Sequence, residues 1–206
     1  MYTGLIQEIG HIVLINKREG VSRISVDASK KFLSGLRVGS SIALNGICLS
    51  VTKVTEYYFC LDVTEATAFI TNLKDSSIHD RVNLERSAVA GGEVGGHLTA
   101  GHIDGTGRIT AITQLGEAIE LLITVPDEIM RYVFAKGFLA VNGASLTVAT
   151  VVMEERTLTF NLIPETLRQT TFSSAKVGDS VNIEVEPSTR VLVDTLRRNL
   201  PSLILH

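Results

Sequence analysis

An all-β fold of two tandem barrels is what this sequence predicts. Three observations carry it. Motifs of the first half return in order in the second, each half contains six short Val- and Ile-rich segments broken by Gly, Asn and Asp, and each half, at about 90 residues, is large enough for one small barrel to fold alone.

The repeat emerges when the chain is compared with itself. A shift of 97 residues lays Gly4, Ile6, Gly10 and Ile12 on Gly101, Ile103, Gly107 and Ile109. It also lays NGICLSVT, 45 to 52, on NGASLTVA, 142 to 149, so that Cys48 falls on Ser145. Two extra residues in the second half raise the shift to 99, where DRVNLE, 80 to 85, meets DSVNIE, 179 to 184, and Thr67 and Thr71 meet Thr166 and Thr170. Three matches in one order indicate a duplicated domain.

In the first half the expected strands are 11 to 15, 21 to 26, 41 to 44, 47 to 54, 58 to 64 and 81 to 84. In the second they are 102 to 112, 118 to 125, 138 to 141, 145 to 153, 157 to 163 and 180 to 185. These segments alternate or run apolar, as strands with a face on a core do, and closing each sheet removes exposed edges. A short helix is expected at 28 to 36 and at the equivalent 126 to 134, where Pro126 stands at the position a helix tolerates best. The Gly-dense stretch from Arg86 to Thr99 is a linker or a shaped turn. Pro187 and Ser188 start a last helix, with Leu192, Leu196 and Leu200 stacked at i, i+4, i+8 before Pro201 stops it. That narrow stripe needs a partner, either its own barrel or other copies of the chain. The expected division is 1–97, 98–187 and 188–206.

Of 206 residues, 45% are apolar and 20% charged, enough for a packed core and too little net charge for a disordered chain. Nineteen Lys and Arg against 22 Asp and Glu, no basic run and no Trp argue against a nucleic-acid groove. No segment approaches the length of an apolar membrane span, and MYTGLIQEIGHIV lacks the pattern of a signal peptide, so a cytoplasmic protein without membrane contact is expected. Cys48 and Cys60, with no spaced Cys/His set around them, fit neither a disulfide framework nor a structural zinc site.

The common nucleotide, hydrolase and zinc-protease motifs are missing. What remains is a polar set at equivalent points of two barrels. Cys48 and Ser145 each follow the Asn of an Asn-Gly turn by three residues, and read equally well as small buried strand residues or as reactive groups. His97 and His102, in GGHLTAGHID, bracket the junction, and a histidine near its ordinary pKa can move protons or fix a carbonyl oxygen. Their spacing of five, without a third ligand nearby, does not suggest a metal site. Asp62, Thr67, Asn161 and Thr166 could hydrogen-bond a polyhydroxylated ligand, ordinary turn chemistry being the simpler account. Gly-flanked backbone at Gly4 to Ile6 and Gly101 to Ile103 lets a flat heterocycle approach closely. Two barrels then imply two similar ligands.

The opening MYTGLIQEIG, the paired NGICLSVT and NGASLTV, VNLERS followed by GGHLTAGHIDGTG, the KG at 136 and 137, and LIPETLRQTTF together resemble the riboflavin synthase alpha-chain family along nearly the whole length. The resemblance implies two six-stranded Greek-key barrels, each taking one 6,7-dimethyl-8-ribityllumazine, and a homotrimer gathered by the C-terminal helix. It implies a dismutation in which one lumazine gives a four-carbon unit to the other, yielding riboflavin and 5-amino-6-ribitylaminouracil without metal or organic cofactor. The family's site lies between the N-terminal barrel of one subunit and the C-terminal barrel of a neighbour; association with lumazine synthase is left open. Holding two rings face to face makes a bimolecular encounter local, which gives the duplication a mechanistic reason.

By the family pattern one half-site is lined by Gly4, Leu5 and Ile6, by Cys48, Leu49 and Ser50, and by Asp62, Val63, Thr64, Glu65, Ala66 and Thr67. The other is lined by Gly101, His102 and Ile103, by Lys136, by Ser145, Leu146 and Thr147, and by Asn161, Leu162, Ile163, Pro164, Glu165 and Thr166. Proton loss from the C7 methyl of one lumazine gives the carbanion that attacks its partner, itself activated by nucleophile addition at C7. Ser145 and His102 are expected to assist that addition and the proton transfer, with Cys48, Thr147 and His97 shaping or polarising the site. Three positions depart from the family pattern. Tyr2 stands for Phe, Asn142 for an Asp in a turn where Asn serves equally well, and Ala66 for the Glu that its repeat partner Glu165 keeps. Ala66 predicts a first half-site that holds its ribityl chain less firmly or takes that contact from elsewhere. It also favours a competing reading, since relatives of this fold carry lumazine or flavin as a light-emitting antenna and catalyse nothing. Cys48, Ser145, His97 and His102 in intact motifs favour the enzyme.

Overall fold

The computed structural model describes residues 1–199. The expected end of the last helix, Leu200 and Pro201, lies outside the described residues.

In the first half β1 (Glu8–Arg18), β2 (Val21–Asp27), β3 (Ser41–Leu44), β4 (Ile47–Val54), β5 (Tyr58–Thr64) and β6 (Arg81–Arg86) close into a barrel in the order β1-β2-β5-β4-β3-β6. Neighbours are antiparallel throughout, and the β2–β5 and β3–β6 pairings are the crossings of a Greek key. Alternate residues such as Phe59, Leu61 and Val63 point inward and fill the barrel with side chains. β1 is longer than its apolar stretch because its outer end pairs with β2 as a hairpin, Arg18 opposite Val21.

The second half contains β7 (Gly105–Leu115), β8 (Ala118–Thr124), β9 (Phe138–Val141), β10 (Ala144–Thr147), β11 (Thr150–Val152), β12 (Thr157–Leu162) and β13 (Ser180–Val185). Their order, β10-β9-β13-β7-β8-β12-β11, repeats the cyclic order of the first barrel, with the expected strand at 145 to 153 divided between the two ends. The division has a hydrogen-bonding cause. Val148 bonds through its N–H and C=O to Gly137 and Lys136, whereas the next residue, Ala149, donates to Thr159 on the opposite neighbour. Val51 makes the equivalent turn of partners in the first barrel, where β4 stays continuous through a bulge between Val51 and Lys53. The expected strand from 102 begins instead at Gly105, because the residues before it leave for the other barrel.

The described residues also form the α-helices α1 (Lys30–Leu33), α2 (Glu65–Ile70), α3 (Asp127–Met130) and α4 (Pro164–Gln169) between strands, and α5 (Pro187–Asn199) after the last one. The helices expected at 28 to 36 and 126 to 134 shrink to single turns, which suffice to bury Phe32, Leu33, Ile129 and Met130. Pro126 occupies the cap position rather than the first turn. α2 and α4, where only turns were expected, each run into a 3-10 turn, Asn72–Asp75 and Thr171–Ser174. On α5, Leu192 and Leu196 are exposed, so their stripe is not covered by the chain's own barrel. No helix among the described residues is long and apolar enough to cross a membrane.

The barrels meet through their two Asn-Gly turns. Asn45 and Asn142 both have positive φ, as such hairpin turns require, and a Cβ on Gly46 would come within 2.8 Å of the Gly143 nitrogen. Asn83 donates its side-chain amide to Asn142 O at 3.0 Å, and Asn182 donates to Asn45 O at 2.9 Å, a reciprocal pair that satisfies buried polar groups across the junction. Asn142 is therefore part of the joint, in keeping with a structural role.

Candidate active site

Each barrel receives its leading segment from the other half's position in the repeat. Residues 2–6 precede β1, yet the Gly4 carbonyl accepts the Ser145 N–H at 2.8 Å and Ile6 packs on the second core. Residues 99–103 precede β7, yet the Gly101 carbonyl accepts the Cys48 N–H at 2.9 Å and Ile103 packs on the first core. Tyr2 and Thr99 pair antiparallel where the segments cross. The expected grouping is thus corrected: Gly4 to Ile6 belong with Ser145, and Gly101 to Ile103 with Cys48. Both glycines need their bare Cα. At φ +72 a Cβ on Gly4 would lie 2.6 Å from the Ser145 Cβ, and at φ +80 one on Gly101 would lie 2.5 Å from the Cys48 Cβ.

A buried carboxylate seats each segment. Glu85, on β6, accepts from the Thr3 N–H at 2.7 Å, the Thr3 hydroxyl at 2.8 Å and the Gly4 N–H at 3.1 Å. Glu184, at the same place on β13, accepts from the Ala100 N–H at 2.7 Å and the Gly101 N–H at 3.0 Å. Burial pushes both carboxyls up, and the amide bonds pull them partly back. The sequence signal for them was a charged residue repeated at one register of an otherwise apolar strand.

At the second half-site the Ser145 Oγ and His97 Nδ1 are 2.6 Å apart. His97 is buried, its ring stacks on Phe138 with centroids 5.4 Å apart, and its Nε2 has no partner among the described residues. Burial lowers the His97 pKa, with Glu186 pulling the other way. The imidazole is therefore neutral at pH 7, and with its proton on Nε2 it accepts from the Ser145 hydroxyl at Nδ1. His102, the expected partner of Ser145, is exposed and follows Gly101 onto the first barrel; one chain does not bring the two together.

At the first half-site the fully buried Tyr2 donates its hydroxyl to the Cys48 Sγ at 3.1 Å. Burial, and then the thiol beside it, push the Tyr2 phenol well up. Asp62 accepts from Arg23 Nε at 2.6 Å and from Arg23 Nη2 at 2.8 Å, which holds its carboxyl below the usual range. Ser50, Thr147 and Asn161 are exposed on their strands, whereas Leu49, Val63, Leu146 and Leu162 belong to the barrel cores and offer a ligand backbone rather than side chains. Thr64 caps α2, which carries Glu65, Ala66 and Thr67; Ile163 precedes Pro164, Glu165 and Thr166 on α4. Lys136 is exposed in the turn before β9, at φ +67.

Beside Ser145 opens a cavity of about 620 Å³, lined by Gly4, Leu5, Ile6 and Ala144, by Glu165, Thr166, Gln169 and Thr170, and by Lys31, Phe32 and Arg86 of the first barrel. That volume suits a flat heterocycle with a side arm. Lys31, Phe32 and Arg86 carried no local signal in the sequence, because they reach this site only through the docking of one barrel on the other.

The lumazine-binding domain family matches residues 3–87 and 100–186, one copy per barrel. Riboflavin synthase of Buchnera aphidicola subsp. Schizaphis graminum is 39% identical over 199 residues, covering 96% of this chain and 95% of the relative. The chain belongs to the riboflavin synthase family. Its likeness to the Escherichia coli riboflavin synthase is 38%, over 97% of this chain and 93% of that protein, and to the Bacillus subtilis one 38%, over 90% and 85%. The family is one of transferases. Crystal structures of LumP share the fold at 22% identity: the complex with riboflavin superposes with a TM-score of 0.84 and the complex with 6,7-dimethyl-8-(1'-D-ribityl) lumazine with 0.81, each over 90% of this chain.

Proposed function

We propose that this riboflavin synthase family member dismutates two 6,7-dimethyl-8-ribityllumazine molecules, giving riboflavin and 5-amino-6-ribitylaminouracil by transfer of a four-carbon unit. The observation that carries the reading is the Ser145–His97 pair beside a cavity of fitting size, matched on the other barrel by Cys48 under Gly101. Riboflavin synthases similar over nearly the whole chain support it, as do LumP structures that hold lumazine or riboflavin on the same fold.

In this mechanism Ser145, its proton drawn toward neutral His97, assists nucleophile addition at C7 of one ring. The proton leaving the C7 methyl of the other ring generates the carbanion that attacks it. Facing rings come from two subunits, the first barrel of one opposite the second barrel of its neighbour, and that arrangement returns His102 to the side of Ser145. The uncovered Leu192 and Leu196 on α5 support a homotrimer held there. A cytoplasmic location completes the proposal.

His97 sets the pH response. Burial lowers its pKa, so activity is lost on acidification only as pH falls through a value below the ordinary imidazole one of about 6.5. The acid limb of a kcat/KM profile is expected there, and His97→Gln should flatten it. The reaction itself is tested by supplying the lumazine as sole substrate and watching for riboflavin. A second reading, a non-catalytic lumazine or flavin carrier, is favoured by Ala66, and accumulation of riboflavin would exclude it.

A further inference from the structure

His102 is exposed on the short segment that crosses from Thr99 to the first barrel, and both ends of that segment are tied down. Glu184 holds one end through the Ala100 and Gly101 amides. Asp104 holds the other: its N–H donates to Ile183 O at 2.8 Å, and its Oδ2 accepts the Val185 N–H at 2.7 Å. The first half makes the same two contacts with a neutral side chain. Gln7, the repeat equivalent of Asp104, donates its N–H to Leu84 O at 2.9 Å and accepts the Arg86 N–H at 3.1 Å. The shared contact therefore needs an acceptor oxygen and no charge.

The charge of Asp104 answers to α5. Its other oxygen accepts from Arg190 Nη2, early in that helix. The same guanidinium lies 5.4 Å from the centre of the Tyr132 ring, and the Tyr132 hydroxyl donates to Asp194 Oδ1, one turn further along α5, at 2.7 Å. The repeat equivalent of Arg190 is Gly91, in the linker, so this contact belongs to the second barrel alone. The Asp104 side chain is only 8% exposed; burial pushes its carboxyl up, and the Val185 amide, Arg190 and His102 pull it back. Arg190 Nε is buried with no partner among the described residues, so the Asp104 carboxylate is the polar contact that fixes the guanidinium.

We propose that Arg190 is a positioning residue for the reaction: by holding Asp104 it fixes the far end of the segment that presents His102, so that the seating of α5 and the placing of His102 are one arrangement. The inference rests on the dismutation reading above and goes beyond it. The helix that carries the exposed Leu192 and Leu196 becomes part of the alignment of the site as well as an assembly element.

Variants of the full chain are assayed with 6,7-dimethyl-8-ribityllumazine, kcat being taken per folded subunit. Arg190→Ala should lower kcat roughly ten- to hundredfold, the effect of displacing a reacting group by about 1 Å, and leave KM little changed. Arg190→Lys, which keeps a cation beside Asp104, should recover much of the loss. Hydrogen exchange at the amides of Gly101 to Ile103 should quicken in Arg190→Ala while that of β2 and β5 does not. In a His102→Gln background Arg190→Ala should cost nothing further, because its effect passes through His102. If Arg190→Ala melts below the assay temperature, the Asp104→Asn, Arg190→Gln double variant, which strands no buried charge, carries the same expectations. An unchanged kcat in the folded variant, a loss that multiplies with that of His102→Gln, or a loss traced by sedimentation to dissociated subunits would overturn the inference while leaving the dismutation in place. An unaltered chain that forms no riboflavin would overturn the dismutation reading and the inference with it.

Discussion

Ser145→Ala should lower single-turnover riboflavin formation by about a hundredfold or more, with the fold intact. The expectation follows from a hydroxyl 2.6 Å from a neutral, buried imidazole, a pairing of the kind through which positioned proton transfer contributes about 10²–10⁴-fold. His97→Gln should cost a similar factor, and the double variant little more, because two groups that act as one unit do not lose their effects independently. If the two losses multiply, the pair is not a unit and the assignment fails. Cys48→Ala should be milder. Its neighbour Tyr2 donates to the thiol and, with its phenol pushed up by burial, offers it no base at neutral pH.

Glu85→Ala should be the most destabilising of the simple carboxylate substitutions on the first barrel, by about 3 kcal/mol or more. Removing the side chain strands the Thr3 N–H, the Thr3 hydroxyl and the Gly4 N–H without their acceptor, all three within hydrogen-bond distance of a group only 1% exposed. For a chain of this length that corresponds to a fall in Tm of roughly 6 to 12 °C, read in a thermal melt. Glu184→Ala should behave alike, since it releases Ala100 and Gly101. Riboflavin formation should fall with either, as Gly4 and Gly101 leave their places against Ser145 and Cys48. A Glu85→Ala chain melting within 2 °C of the original (roughly the effect of a neutral surface change) would show that the carboxylate does not seat the segment.

The strands were legible because their signal is local. Segments 41 to 44, 47 to 54 and 58 to 64 have apolar runs whose ends coincide with β3, β4 and β5. The strand at 145 to 153 was less so, because its division at Val148 depends on which neighbour each amide meets and not on which residues it contains. α2 and α4 were hidden by brevity: six residues cannot display a 3.6-residue period, and Thr64 or Pro164 before an acidic residue is as good a turn signal as a helix start. The candidate site divides in the same way. Ser145, Cys48 and the Gly4 and Gly101 backbones stood out through the repeat, but self-comparison cannot tell that Gly4 docks on the second barrel and Gly101 on the first. That exchange is decided by long-range contacts, Gly4 with Ser145 and Gly101 with Cys48, and it changed the partner of Ser145 from His102 to His97.

The central claim is tested most directly by counting. The purified chain is given 6,7-dimethyl-8-ribityllumazine alone, and the lumazine consumed, the riboflavin formed and the 5-amino-6-ribitylaminouracil released are measured by chromatography. The account predicts two lumazines consumed for each riboflavin, with one uracil alongside. Lumazine that binds in proportion to protein and returns unchanged, with no riboflavin formed, would contradict it.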